Sequence, residues 1–187
     1  LVHLSDVSWD SGAGDEAFTG VVSRAEDGST GNAGQINVDV NGALDIINIA
    51  AIGSSTFGQG NAGMITINTN NLTLDGMGIG AGIQSDAVEN STGDAGTVNV
   101  NVADLLAVKS SAYISSNTVS SGDAGNVNIS AGRMLIDGGV EEAPFTGITS
   151  QATEGSTGEA GQIYVEVNGL LEIYNAGELN SVTKAAG

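Results

Sequence analysis

The chain contains no cysteine, one proline and one histidine, and only four lysine and arginine residues among 187. Without cysteine there is neither a disulfide framework nor a thiolate metal site. Arg24, Lys109, Arg133 and Lys184 are too few to neutralise a run of phosphates, which argues against nucleic-acid binding. Against 22 carboxylates and a net charge of −18, the same shortage disfavours anionic membrane surfaces. Aromatic residues are 4% of the chain, and no apolar run approaches a membrane span, so no membrane insertion is expected. His3 is the only imidazole, which leaves little material for nucleophile–base catalysis.

What is abundant is glycine, 29 residues of it, and it recurs in a pattern. The tetrapeptide Gly-x-Ala-Gly appears as Gly31–Gly34, Gly60–Gly63, Gly93–Gly96, Gly122–Gly125 and Gly158–Gly161, at intervals of 29, 33, 29 and 36 residues. A second motif keeps a steadier step: Ser23, Ser54, Ser85, Ser116, Ser150 and Ser181, each two residues after Val, Ile or Leu, stand 31, 31, 31, 34 and 31 residues apart. The unit is therefore 31 residues, with loops of adjustable length between the motifs. One longer unit carries its extra residues around Gly138–Pro144, where the only proline suits a loop.

Each unit holds three short segments of alternating polarity. Ile36-x-Val38-x-Val40 follows the glycine signature, Leu44-x-Ile46 comes next, and Ile52-x-Ser54-x-Thr56 closes the unit. Period-two alternation predicts strands, and none of the segments is long enough for an amphipathic helix. Three short strands per ~31 residues predict an all-β fold, a right-handed parallel β-helix (β-solenoid) of about six coils. At the usual strand spacing such a stack is about 30 Å long. Residues 1–187 read as a single β-helix segment that opens in mid-strand, a fragment of a longer solenoid.

A repeat of this kind gives most recurrent residues a structural task. The serines share the inward face of the aliphatic residues two positions before them, and a small buried hydroxyl can bond to a neighbouring backbone group. Ser23, Ser54, Ser85, Ser116, Ser150 and Ser181 are thus expected to form a structural ladder. The signature glycines read as corners that need positive φ. Gly58-x-Gly60-x-x-Gly63 matches a dinucleotide fingerprint formally but lacks the helix that would cradle a pyrophosphate.

Weak Ca²⁺ candidates are Asp94, Asp123 and Glu159, at the variable position of three signatures. Calcium needs six to eight oxygens gathered at one point, and two of the five signatures carry Asn there instead. No other cofactor is expected. Glu141 and Glu142 are adjacent in one loop, which does not make a separated acid/base pair. With scattered cations and a repulsive field, the sequence is read as non-enzymatic. Possible contact loops carry Phe18, Glu141, Glu142 and Phe145, where the unit is longest.

Written as Gly-x-Ala-Gly-x-Ile-x-Val, then Leu-x-Ile, then Ile-x-Ser-x-Thr, the unit resembles the repeats of filamentous-haemagglutinin-like exoproteins. The large cyanobacterial versions are the nearest in wording, as in Ile52–Gly63. The resemblance implies two-partner secretion through an outer-membrane transporter and a place at the surface of a Gram-negative cell. It implies a structural or adhesin rod whose partners are surface glycans or proteins, and it carries over no catalytic residue. Carbohydrate binding or cleavage, and a calcium-dependent matrix role, are the alternatives. Open terminal strands also suggest end-to-end self-association.

Overall fold

The computed structural model describes residues 6–10, 19–139 and 144–184. Phe18, Glu141 and Glu142 fall outside the described residues. In chain order the strands are β1 (Val7–Asp10), β2 (Gly20–Ala25), β3 (Ile36–Ile47), β4 (Ala51–Thr56), β5 (Ile65–Asp75), β6 (Ala81–Gln84) and β7 (Val98–Lys109). They continue as β8 (Ala112–Ser115), β9 (Val127–Asp137), β10 (Thr146–Thr149), β11 (Ile163–Val167), β12 (Leu171–Tyr174) and β13 (Gly177–Asn180). Every pairing among them is parallel.

One sheet orders the strands β1-β3-β5-β7-β9-β11, with β12 also on β9, and the other orders β13-β10-β8-β6-β4-β2. Neighbours in each sheet belong to successive coils, which defines a β-solenoid of about five turns. Five coils, beginning at Gly31, follow a partly described one, and residues 140–143 of the fourth also lie outside the described residues. The first and second sequence segments run on as a single long strand in four coils. A register shift between Val40 and Ala43, repeated at Thr69/Leu72 and Val102/Leu105, bends it where the sequence suggested a break. A third ladder of single bridges, Thr56↔Ala87↔Thr118↔Ala152↔Thr183, closes the outline.

The core lies between the sheets as stacks of like side chains. Leu44, Leu72, Leu106 and Met134 form one column, and Ile52, Ile83, Ile114 and Ile148 another, all essentially excluded from water. Because register is conserved from coil to coil, each inward position meets its own equivalent, and the hydrophobic burial propagates along the stack.

The 31-residue step hides an alternation of two kinds of coil. From second to third segment the corner is short at Ile46–Ile52, Val108–Ile114 and Ile173–Leu179, and longer at Trp9–Val21, Leu74–Ile83 and Ile136–Ile148. The short corners turn through left-handed residues: Asn48 (φ 60°), Ser110 and Ser111 (50° and 74°), Asn175 and Ala176 (47° and 59°).

Short-corner coils end in Thr56, Thr118 or Thr183, and long-corner coils in Ala25, Ala87 or Ala152. The threonine accepts a backbone N–H two residues on (Gly58 at 3.3 Å, Ser120 at 3.2 Å), which closes a tight loop. The alanine precedes a wider loop closed by turns such as Ser91 N to Val88 O at 3.1 Å, with Gly28, Asn90 and Gly155 at positive φ. This alternation is why the signature spacing swings between 29 and 33 residues while the first three serine steps are 31; the longest unit adds three residues to each, giving 36 and 34.

Candidate functional site

The serine column is where the two sequence motifs meet. Ser54, Ser85, Ser116 and Ser150 are fully buried, while Ser23 and Ser181 at the ends are not. Each hydroxyl points at the glycine signature. Ser54 Oγ donates to Gly34 O at 2.7 Å and accepts from Gly63 N at 3.1 Å. Ser85 Oγ lies 2.6 Å from Gly63 O, Ser116 Oγ 2.5 Å from Gly96 O, Ser150 Oγ 2.7 Å from Gly125 O and Ser181 Oγ 2.7 Å from Gly161 O. Those carbonyl bonds lie within one coil; the hydroxyls of Ser23, Ser54 and Ser116 also accept the N–H of Gly34, Gly63 and Gly125 in the next coil, and Ser85 reaches Ser54 O of the preceding one at 2.8 Å.

The glycines do something other than the sequence suggested. None of the signature glycines has positive φ. A Cβ on Gly63, Gly96, Gly125 or Gly161 would run into the carbonyl of the preceding signature glycine and into the ladder serine, 2.5 Å away for Gly63 and Gly125. Gly60, Gly93, Gly122 and Gly158 are hemmed in the same way by the coil before them. Coil-to-coil contact, not turn geometry, demands glycine here.

The calcium candidates Asp94, Asp123 and Glu159 stack as neighbours in one exposed column that continues from Asn32 and Asn61. Each Oδ1 accepts the N–H of its equivalent in the next coil: Asn61 from Asp94 at 3.0 Å, Asp94 from Asp123 at 2.9 Å, Asp123 from Glu159 at 2.8 Å. Asn and Asp serve alike because the acceptor oxygen is what the ladder uses. Among the described residues no group of three or more acidic or imidazole side chains is arranged to hold a metal ion.

A second outward column holds the one strongly perturbed carboxylate among the described residues. Asp86 follows β6, half-buried, and its oxygens take Asn117 N at 2.7 Å and Ser115 Oγ at 3.1 Å. Asn117 repeats this one coil on, with Gln151 N at 2.8 Å and Thr149 Oγ1 at 3.2 Å. Burial pushes the Asp86 carboxyl up to about 6, against the lowering effect of those hydrogen bonds. Tyr113 lies beside it, its ring on Gly82 and its hydroxyl donating to Gln84 Oε1 at 2.7 Å, and burial first and then Asp86 raise its phenol.

The long sheet turns a polar face outward. Asn68 Nδ2 donates to Asp39 Oδ1 at 2.6 Å, Asn101 Nδ2 to Asn68 Oδ1 at 2.9 Å, and Asn128 Nδ2 to Asn99 Oδ1 at 2.9 Å. A shallow groove over Asn99, Asn128 and Thr66 ends at Tyr164, which is 61% exposed. Phe145, from the longest unit, is 38% exposed. Sequence reasoning missed Asp86, since a carboxylate in a polar outward position gives no signal until its neighbours are known. No helix among the described residues is long and apolar enough to cross a membrane. Comparison with protein-family models, curated proteins and solved structures finds nothing that matches this chain.

Proposed function

We propose that the chain is part of a secreted, non-enzymatic structural or adhesive rod, like the filamentous-haemagglutinin-like exoproteins it resembles. The observation that carries the reading is the use of the recurrent residues. Ser23, Ser54, Ser85 and Ser116, the signature glycines and the Asn/Asp columns join one coil to the next. A chain whose repeated chemistry extends the stack is suited to reach and rigidity. The outward loops and acidic face then supply contacts and solubility. In this reading an outer-membrane transporter exports the chain, and surface glycans or proteins of a Gram-negative cell's surroundings are its partners.

Antibody raised against the chain and applied to intact and to lysed source cells tests the reading. Labelling of intact cells is the expected result. Signal confined to lysed cells, or products released when the purified chain meets neutral and acidic polysaccharides, overturns it.

A glycan-binding variant of the reading is favoured by Tyr164, whose exposed ring stands beside the amides of Asn99 and Asn128. Such a site pairs a stacking face with neighbouring polar groups. Glycan-array binding lost in Tyr164→Ala supports it, and an array with no signal for the unaltered chain removes it.

A further inference from the structure

The outer face of the sheet formed by β2, β4 and β6 is interrupted at one place. There β4 presents only Ala51, Gly53 and Ser55, while the neighbouring strands present Val22 and Arg24 on one side and Gln84 on the other. The result is a notch of about 200 Å³, lined as well by Ile49 and Tyr113. It opens on a lateral face and is bounded by described residues on both sides, so a further coil stacked on β2 would not cover it.

The polar lining offers donors without partners. Ser55 is 5% exposed, and its hydroxyl makes no hydrogen bond among the described residues. Tyr113 donates to Gln84 Oε1 at 2.7 Å and so orients that amide. Its Nε2 keeps two N–H groups and stands 3.8 Å from where a Cβ on Gly53 would lie. Arg24 forms no ion pair among the described residues; its guanidinium lies over the Phe57 ring at 5.7 Å. Lys109 and Arg133, by contrast, are held by Asp75 and Asp104. Asp86, next after Ser55 in its column, turns its oxygens to Ser115 Oγ and Asn117 N of the following coil.

Apolar surface stands beside these donors. Val22 and Ile49 are 43% and 37% exposed. Val22 Cγ1 and Gln84 Cγ each lie 3.6 Å from the place of a Gly53 Cβ, which leaves a slot suited to a flat group. The volume is below the ~300 Å³ at which drug-sized ligands are usually held, so a single ring fits and an oligosaccharide does not.

We propose that this notch binds a small aromatic carboxylate, its ring over Gly53 and its charge met by Arg24, Gln84 and Ser55. Guanidinium and carboxylate are matched in shape as well as charge, which favours this anion. The net charge of −18 opposes any anion at long range, so the affinity is weak, in the millimolar range.

Titration of the 187-residue chain with benzoate, followed through its amide resonances, tests the proposal. A saturable shift is expected at Gly53, Ser55 and the Gln84 side chain. Benzamide keeps the ring without the charge, and acetate keeps the charge without the ring; each should bind about tenfold more weakly or worse. Arg24→Gln, at an exposed position away from the core, should weaken benzoate by a similar factor. Gly53→Val should abolish binding without lowering the melting temperature, because an added Cβ meets its neighbours at ordinary contact distance. No localised shift with benzoate overturns the proposal. So does a response that benzamide or acetate matches, one that persists in Arg24→Gln or Gly53→Val, or one spread over the polar faces of both sheets.

Discussion

Gly63 N donates to Ser54 Oγ at 3.1 Å, and that hydroxyl donates in turn to Gly34 O at 2.7 Å, one coil earlier. The two residues that recur most regularly in the sequence are therefore partners across the stack. Serine supplies both a donor and an acceptor in one small group, and glycine leaves room for the hydroxyl to reach two backbones at once.

Glycine substitutions should separate close stacking from loop freedom. Gly60→Ala or Gly125→Ala sets a Cβ against a backbone carbonyl of the preceding coil and is expected to cost about 3 kcal/mol or more, or to prevent folding. Gly31→Ala occupies the same place in its signature but meets nothing within 4 Å, and it should change stability by less than about 0.5 kcal/mol. Chemical denaturation of the three variants checks this. Equal losses would show that the motif is needed for turn conformation after all.

Ser85→Ala removes a buried hydroxyl that donates to Gly63 O at 2.6 Å and Ser54 O at 2.8 Å. Its loss leaves carbonyls without that partner in a closed site, and the expected cost is about 1–3 kcal/mol. Ser181→Ala, at the exposed last rung, should cost less than about 1 kcal/mol. Thermal melts of both variants give the ordering, and a Ser181 effect as large as that at Ser85 would contradict it.

Much of this fold was legible because the side-chain period of a strand is two and the unit length is constant. The aliphatic columns and the inward serines follow from that alone. The bend at Val40/Ala43 was legible only as a gap, since nothing local distinguishes a register shift within one strand from a corner between two. The coil alternation was written in the exchange of Ala25, Thr56, Ala87, Thr118, Ala152 and Thr183, and in the 29 and 33 residue intervals, but a loop-length reading absorbs the same numbers. Asp86 was not legible, because its environment is made by Ser115 and Asn117 from the next coil.

Asp86 should make the protein less stable as pH rises through the mildly acidic range. Its folded carboxyl titrates near about 6, above the ordinary value of 3.8. Between those values the folded state holds a proton that the unfolded state has released, so stability falls with pH and levels off above about 6.5. The size of this contribution is on the order of 3 kcal/mol at most. Asp86→Asn keeps the acceptor that Asn117 already provides one coil on, and should match the unaltered protein near pH 4 and exceed it near pH 7.5. Melting curves across that range decide the matter, and a constant offset between the two proteins would exclude Asp86 as the titrating group.

Coil alternation makes the pair of coils, not the single coil, the unit that can be removed. Deleting residues 60–121 joins Gln59 to Gly122 and places a long-corner coil after a short-corner one, as in the intact stack. The shortened protein should fold cooperatively with the same β-rich spectrum, at a stability lower by the lost interfaces. Deleting residues 60–92 removes one coil and sets two short-corner coils face to face, with Thr56 against Thr118 and the left-handed corner at Asn48 against that at Ser110. Neither pairing occurs in the native stack, where Thr meets Ala and a short corner meets a long one. The single-coil deletion, although it removes fewer residues, is expected to melt at a lower temperature than the double-coil deletion. Differential scanning calorimetry of the two proteins makes the comparison directly. If stability simply follows the number of coils retained, the alternation carries no energetic weight and one coil is the unit.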